Sequence, residues 1–149
     1  MRILVDTNVL LWLVHAGHPH QSASRQAARH LRAGRHELRT VLQNLYEFWV
    51  VATRPVNQNG LGFSTSDVAT QLSTLRKLFP PLRDERGILD RWESLATGLA
   101  VQGKSAHDTR LVAAMERHGL THLLTFNVDD FKRYLSIQLL DPLQVAVFP

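Results

Sequence analysis

The sequence predicts a three-layer α/β/α domain with a central, mainly parallel β-sheet. Short apolar runs of the kind that form buried strands alternate along the chain with longer segments that are typical of helices. The length of 149 residues suits one domain, which we expect to span residues 1–149. The chain contains neither an internal repeat nor a low-complexity linker that would divide it.

The first half of the chain opens on a buried strand and returns to the sheet once. The predicted elements are a strand at 3–6, a helix at 9–15, a helix from 22–24 to about 32, a strand at 37–41 and a helix at 42–53. We expect Ser22 to Ser24 to cap the second helix and Gly34 to end it. The third helix must stop near Arg54, because Pro55 disfavours helical geometry in the residue before it.

The second half alternates in the same way. The predicted elements are a loop at 57–62, a helix from 65 to the residue before Pro80, a short strand at 81–83, helices at 86–101 and 105–118, a strand at 122–126, a helical turn at 129–134 and a late strand at 137–140. Thr65 or Ser66 is expected to cap the first of these helices. Gly119 is placed to end the helix that starts at Ser105.

The composition favours a polyanion partner. The net charge is +4 and the sequence pI is about 10.1, so a basic surface would surround any acidic cluster. The absence of cysteine excludes disulfides and cysteine zinc sites, and favours a reducing compartment. Asp6 and Asn8 interrupt the apolar start, which argues against a signal peptide, and no stretch is apolar enough to span a membrane. We therefore expect a cytoplasmic protein.

Acidic and amide residues can be placed at one edge of the predicted sheet. Asp6 ends the first strand, and Asn127 follows the strand at 122–126, so both should lie at the carboxyl edge, where open α/β sheets bind ligands. Each residue has a plainer interpretation as a helix cap, Asn127 for the turn that contains Asp130. Asp108 lies three residues after Ser105 and fits a capping box, but it also precedes the core-facing Leu111, where a carboxylate needs a partner.

Glu47 is the most unusual of the acidic positions. It stands among apolar residues, and at helical spacing Gln43, Glu47 and Arg54 form the only polar stripe on that helix. The stripe is either solvated or faces a cleft. If it faces a cleft shared with Asp6 and Asp108, the cluster offers only oxygen ligands, which suit Mg²⁺ or Mn²⁺ rather than zinc.

Four short segments, in order along nearly the whole chain, resemble the PIN-domain ribonucleases, and in particular the VapC-like toxins of bacterial toxin–antitoxin pairs. They are Leu-Val-Asp-Thr-Asn at 4–8, the segment 47–55 that ends in Thr-Arg-Pro, His-Asp-Thr-Arg-Leu-Val-Ala-Ala at 107–114, and Leu-Thr-Phe-Asn at 124–127 with Asp-Phe at 130–131. The resemblance implies a PIN-like fold, an RNA substrate, a cognate antitoxin and a homodimer. It also implies an acidic quartet that binds one or two divalent ions.

In that resemblance, Asp6, Glu47 and Asp108 match the first three members of the quartet. The fourth departs from the family pattern, because the family often has Asp where this chain has Asn127, with a further acidic or polar residue near the position of Asp130. Asp6 and Asp108 would hold Mg²⁺ directly, while Glu47 would ligate through water or orient the nucleophile. Asn127 and Asp130 would hold a second ion or its waters. Candidates for steering the RNA backbone are Arg54, Arg110, Lys132 and Arg133.

Two other patterns compete with this interpretation. Residues 98–105 match the P-loop pattern G-x-x-x-x-G-K-S, which has meaning only between a strand and a helix; the segment before Gly98 looks helical instead. His15, His18 and His20 bunch in a predicted loop, where a solvated loop is favoured over a zinc site. A P-loop nucleotide-binding protein and a non-catalytic PIN-like module for RNA or protein remain the alternatives.

Overall fold

The computed structural model describes residues 1–145, whose five parallel strands form one sheet between two layers of helices. The strands are β1 Arg2–Val5, β2 Glu37–Val41, β3 Pro81–Leu82, β4 His122–Leu124 and β5 Gln138–Leu140. They lie in the order β3-β2-β1-β4-β5, and all four neighbouring pairs are parallel. The predicted three-layer α/β/α class is confirmed.

Helices cover both faces of this sheet. They are α1 Thr7–Val14, α2 Gln21–Ala33, α3 Leu42–Thr53, α4 Thr65–Leu78, α5 Gly87–Gly98, α6 Ser105–His118, α7 Val128–Phe131 and α8 Pro142–Val145, with a 3₁₀ turn at Val56–Gln58. Ile3 and Val5 pack with residues from α1 to α4 and α8, whereas Leu4 packs with residues from α5 to α7. Because successive strand residues face opposite sides, a fully apolar β1 is what a sheet buried on both faces requires.

The chain order of the strands changes direction at β1. From β1 the chain builds outward to β2 and β3, and it then returns to place β4 on the other side. Val5 pairs with Leu124 across this junction, and the Asp6 amide donates to the Leu124 carbonyl at 3.0 Å. In open parallel sheets, ligands bind in the crevice at such a reversal, outside the carboxyl ends of the strands. Asp6 lies at this position.

Several helix starts differ from the sequence predictions. The serines predicted to cap α2 lie inside that helix; His20 precedes it and provides no side-chain cap. Ser64, rather than Thr65 or Ser66, caps α4, since its Oγ accepts from the Asp67 amide at 3.1 Å. In α4 a neighbouring serine caps as well as the predicted residues, and in α2 the helix begins without a side-chain cap, so local capping preference alone does not set either start.

Other boundaries follow the sequence closely. The bounds of β2, α3 and α6 are as predicted, and Gly119 ends α6 with φ +66°. α5 stops at Gly98 instead of continuing to residue 101, and neither α8 nor the 3₁₀ turn was predicted. Within residues 1–145, no helix combines the length and apolar character needed to cross a membrane.

Candidate active site

Asp6 is held rigidly where β1 meets α1. Its side chain is only 7% exposed, and its Oδ1 accepts from the Thr7 amide at 2.7 Å. Its Oδ2 accepts from Thr125 Oγ1 at 2.7 Å and from Asn8 Nδ2 at 3.2 Å. Asp6 therefore does cap α1, as the plainer interpretation expected, but Asn8 in α1 and Thr125 just after β4 fix its other oxygen.

Glu47 approaches the same position from α3. Its Oε2 accepts from Thr7 Oγ1 at 2.9 Å, so Thr7 contacts both carboxylates. Asn44 donates to Thr7 Oγ1 at 3.3 Å, and its carbonyl accepts from the Val41 amide at 3.0 Å at the start of α3. Of the predicted polar stripe on α3, Gln43 and Glu47 face this position, whereas Arg54 makes no contact there among the described residues.

Asp108 reaches the cluster from the opposite helical layer. It lies in the first turn of α6, half-buried, and no side-chain cap is formed at the start of that helix. The capping-box interpretation with Ser105 is therefore wrong. Residues of α3 and α6 pack on opposite faces of the sheet, and the charge of Glu47 acts on Asp108 across the sheet edge.

The electrostatics of this cluster are unfavourable for the ionised carboxylates. Burial raises the pKa of Asp6 from 3.8 to about 6, with smaller increases from the charges of Glu47 and Asp108. Burial also raises the pKa of Asp108 to about 6, helped by Asp130 and Glu47 and opposed by Lys104 and others. Among the ion pairs within residues 1–145, none involves any of these four carboxylates.

Asn127 and Asp130 lie on the open side of the cluster. Both are exposed, and they line a cleft of about 530 Å³ together with Phe126 and Asp141. Asn127 precedes α7 without a side-chain capping bond, so its expected capping role is not seen. Its backbone amide donates to Thr125 Oγ1 at 3.0 Å, and Thr125 Oγ1 donates to Asp6, so Asn127 lies at the same sheet edge as Asp6.

The donor set fits a hard divalent cation in chemistry and charge, although not as a closed cage. Within the described residues, no three acidic or histidine side chains lie close enough to hold one ion directly. Mg²⁺, however, usually takes one or two carboxylates and keeps several waters. The buried carboxylate of Asp6, which has no ion-pair partner within residues 1–145, and its carboxylate neighbours provide the negative charge that such an ion would neutralise.

The residues expected to steer RNA are not equally placed. Lys132 pairs with Asp129 on the surface, and Arg133 is exposed. Arg54 ends α3, two turns beyond Glu47. Arg110 is engaged inside the site, where Nη1 donates to Gln43 Oε1 at 3.1 Å.

A network of hydroxyl and amide side chains around the carboxylates was not predicted from the sequence. Its members hydrogen-bond to Asp6 or Glu47, or to Thr7 beside them: Thr7, Asn8, Gln43, Asn44 and Thr125. The available signal was hydroxyl and amide residues directly beside the strand ends. Such residues are common as turn formers and caps, so the pattern alone does not separate the two uses.

The P-loop alternative loses its structural context. Residues 98–105 connect α5 to α6, so a helix rather than a strand precedes them. Gly103 adopts φ +61° and Lys104 is exposed, as in an ordinary helix–helix junction.

The three clustered histidines lie in the predicted loop between α1 and α2, where their rings pack in a column with two aromatic residues. Trp12 stacks on His18 with centroids 3.8 Å apart, and His20 stacks on Phe126 at 4.5 Å. His18 lies 5.3 Å from His15 and 5.4 Å from His20. Burial and these two histidines lower the pKa of His18. The three histidines lie in the predicted loop, half-buried, and the stacking of their rings is the feature that the sequence did not indicate.

Comparison with solved structures shows the same fold in bacterial toxin–antitoxin proteins. The chain is 14% identical to VapBC2 from Rickettsia felis, bound to a promoter DNA fragment, with a TM-score of 0.71 over 94% of this chain and 98% of that one. VapBC-1 from nontypeable Haemophilus influenzae gives 17% identity and a TM-score of 0.69 over 95% and 98%. The sarcin-ricin loop cleaving toxin VapC20 from Mycobacterium tuberculosis is 18% identical, with a TM-score of 0.62 over 89% of this chain and 95% of that one.

These identities are low, so the structural neighbours establish likeness of fold alone. A search of curated protein sequences returned no match. The family model for the PIN domain, in contrast, matches residues 3–135, which include every carboxylate of the candidate site. The chain belongs to the PIN-domain family.

Proposed function

We propose that this protein is a metal-dependent endoribonuclease that hydrolyses RNA phosphodiester bonds. The observation that carries the proposal is the convergence of Asp6, Glu47 and Asp108, from a strand end and two helical layers, without a basic partner among residues 1–145. Membership of the PIN-domain family and the net charge of +4 support a polyanion substrate.

The proposed role of each residue follows from its position in the site. Asp6 and Asp108 would hold Mg²⁺ or Mn²⁺, Glu47 would act through a water, and Asn127 and Asp130 would hold a second ion or its waters. Such an ion, when bound, would supply Lewis acidity toward the phosphoryl oxygen and would lower the pKa of a coordinated water, so that hydroxide is available near neutral pH. Thr7 and Thr125 keep the two innermost carboxylates oriented.

We further propose that the chain is a VapC-like toxin with a cognate antitoxin, acting in the cytoplasm as a homodimer. The support is that the similar structures are VapBC and other toxin–antitoxin complexes, and that one of these proteins is described as cleaving the sarcin-ricin loop. The cleft beside Asn127 and Asp130 is open to a macromolecular substrate.

The decisive experiment compares Asp6→Asn and Asp108→Asn with wild type on a structured RNA, in Mg²⁺ and in EDTA. Asn caps a helix as well as Asp, so both variants should fold. We expect cleavage to fall more than about a hundredfold, beyond the usual effect of changing a group around a metal ligand. Asp90→Asn, on the exposed side of α5, is the matched control. Wild-type rates for Asp108→Asn would refute the mechanism.

A non-catalytic module that binds RNA or protein is the second candidate. It is favoured by the spacing of the carboxylates, since no three within residues 1–145 can hold one ion directly as placed. Mg²⁺ binding by wild type without cleavage of any RNA tested, at pH 7 to 8 where Asp6 and Asp108 are ionised, would favour this candidate.

A further inference from the structure

We infer that Gln43 is a positioning residue that fixes Glu47 relative to Asp108, and that Arg110 and Asp84 hold Gln43 in the working orientation. This inference rests on the proposed function, since it assigns a role at the same site. The sequence offered Gln43 only as part of a polar stripe, and Arg110 as an RNA contact.

Gln43 is the point where the two helical layers are joined across the sheet edge. Its side chain is buried, 8% exposed, one turn before Glu47. Its Nε2 donates to Glu47 Oε1 at 2.9 Å and to the His107 carbonyl at 2.8 Å. Both amide hydrogens are therefore used, one on α3 and one on α6.

The second acceptor of the Gln43 amide, the His107 carbonyl, connects Gln43 to the helix that carries Asp108. His107 is the residue immediately before Asp108, so one amide group links the Glu47 carboxylate to the backbone that carries Asp108. Without that link, two carboxylates on helices from opposite faces of the sheet are free to separate, because their charges repel. Gln43 thus opposes the separation that like charge favours.

Arg110 determines which way the Gln43 amide points. Its Nη1 donates to Gln43 Oε1 at 3.1 Å, while its Nη2 lies 3.1 Å from Asp84 Oδ1. If the amide were flipped, its oxygen would face the Glu47 carboxylate and its NH₂ would face the guanidinium, and both contacts would be repulsive. The planar guanidinium fork, anchored by Asp84, therefore selects the orientation that serves Glu47.

The first test replaces Gln43 in two ways that separate its functions. Gln43→Met keeps the length but removes every hydrogen bond, whereas Gln43→Glu keeps an acceptor for Arg110 and removes both donors. The readouts are kcat and KM for RNA cleavage, and Mn²⁺ affinity from electron paramagnetic resonance. We expect kcat to fall at least tenfold in both variants, as when a hydrogen bond to a charged group is lost, and Mn²⁺ to bind several-fold more weakly to Gln43→Met.

Thr40→Val is the matched control for this test. Thr40 is fully buried and donates to the Phe79 carbonyl at 2.9 Å, away from the carboxylates. It should lower the melting temperature like the Gln43 variants while leaving kcat and Mn²⁺ affinity unchanged. Gln43→Met with wild-type kcat and Mn²⁺ affinity would overturn the inference, as would a wild-type kcat for Gln43→Glu.

The second test addresses the outer links of the network. The side-chain amide of Gln43 gives a ¹H–¹⁵N signal, which should shift in Asp84→Asn and Arg110→Lys because the fork no longer fixes it. We expect kcat to fall two- to fivefold in both, with KM little changed. An increase in KM alone, reduced at high salt and accompanied by an unmoved Gln43 signal, would instead make Arg110 an RNA contact and overturn its part of the inference.

The failure of this inference is distinguishable from failure of the proposed function. If Asp6→Asn abolishes cleavage while Gln43→Met is fully active, the nuclease stands and the positioning role falls. If wild type neither binds Mn²⁺ nor cleaves RNA, the proposed function falls and the positioning role falls with it.

Discussion

The two halves of the candidate site are built differently. In the inner half, Asp6 and Glu47, all four carboxylate oxygens accept hydrogen bonds from neighbouring side chains or backbone. In the outer half, Asn127 and Asp130, both side chains are exposed to the cleft, and within residues 1–145 neither makes a side-chain hydrogen bond. The difference is between groups that are fixed before a ligand arrives and groups that are free to follow it.

This contrast assigns distinct demands to the two halves. Groups that are already fixed in position need no reorganisation free energy during a reaction. Substitutions that loosen the inner half should therefore lower the rate of catalysis strongly. Exposed groups can exchange partners with water, so substitutions in the outer half should produce smaller changes. Asp108 stands between the halves, since both Glu47 and Asp130 raise its pKa.

The largest expected effect is stabilisation by Mg²⁺, and its pH dependence should report the buried carboxylates. Burial raises the pKa values of Asp6 and Asp108 in the folded protein to about 6, above the ordinary value of 3.8 for an aspartate. Their contribution to stability is therefore fully present below about pH 3.8 and is lost as pH rises through 6. At pH 7.5, binding of Mg²⁺ at a hundredfold excess over Kd should increase the free energy of unfolding by about 2.7 kcal/mol.

Thermal unfolding with and without Mg²⁺, at pH 7.5 and pH 5, measures this effect. For a domain of this size we expect a rise of about 5 to 10 °C at pH 7.5 and a smaller rise at pH 5, where protons compete for the carboxylates. Asp6→Asn should weaken the response. A melting temperature that does not move with millimolar Mg²⁺ at pH 7.5 would count against an ion in the inner half.

The next effect concerns Thr125, which holds the inner half without carrying charge. Thr125→Val is nearly isosteric but removes the hydroxyl that donates to Asp6 Oδ2 at 2.7 Å. Since this bond lowers the pKa of Asp6, its loss should raise that pKa further above 6. Cleavage should fall about tenfold at neutral pH, and the acid limb of the pH–rate profile should move to higher pH.

A pH–rate profile of Thr125→Val beside wild type measures both changes, with Thr121→Val as the control. Thr121 is exposed, and its hydroxyl contacts only the other end of β1 and β4. If Thr125→Val lowered the rate without moving the acid limb, the hydroxyl would act on packing rather than on Asp6.

The fold and the charged members of the site were predictable because local patterns determine them. The apolar run that ends at Asp6 indicates a strand end from the local sequence alone. Glu47 can be singled out in the same way, because it is a charged residue among apolar neighbours. The contact between Arg110 and Gln43 spans 67 residues, and no periodicity encodes it. The ring column from Trp12 to Phe126 likewise depends on how α1 packs beside the segment that follows β4, and no local pattern in the sequence indicates it.

A smaller effect is expected in the outer half, at the position where the chain departs from the family pattern. Asn127→Asp adds a carboxylate to an exposed site, so it should leave stability within about 0.5 kcal/mol. It should keep or raise cleavage and tighten Mn²⁺ binding, because a carboxylate is the better ligand for a hard cation. Asn127→Ala is the paired variant and should lower activity if the carbonyl orients a water. A folded but inactive Asn127→Asp would show that the fourth position is wrongly placed.

The smallest effect is expected at Lys104, on the rim of the site. It is exposed at the start of α6, and its charge lowers the pKa of Asp108 against the dominant effect of burial. Lys104→Ala should leave stability within about 0.5 kcal/mol and weaken RNA binding slightly, with a smaller dependence on salt. Calorimetric titration of wild type with Mg-ATP should give no heat, because residues 98–105 join two helices. Micromolar ATP binding that disappears in Lys104→Ala would reinstate the P-loop, and the comparison between the two halves of a nuclease site would no longer apply.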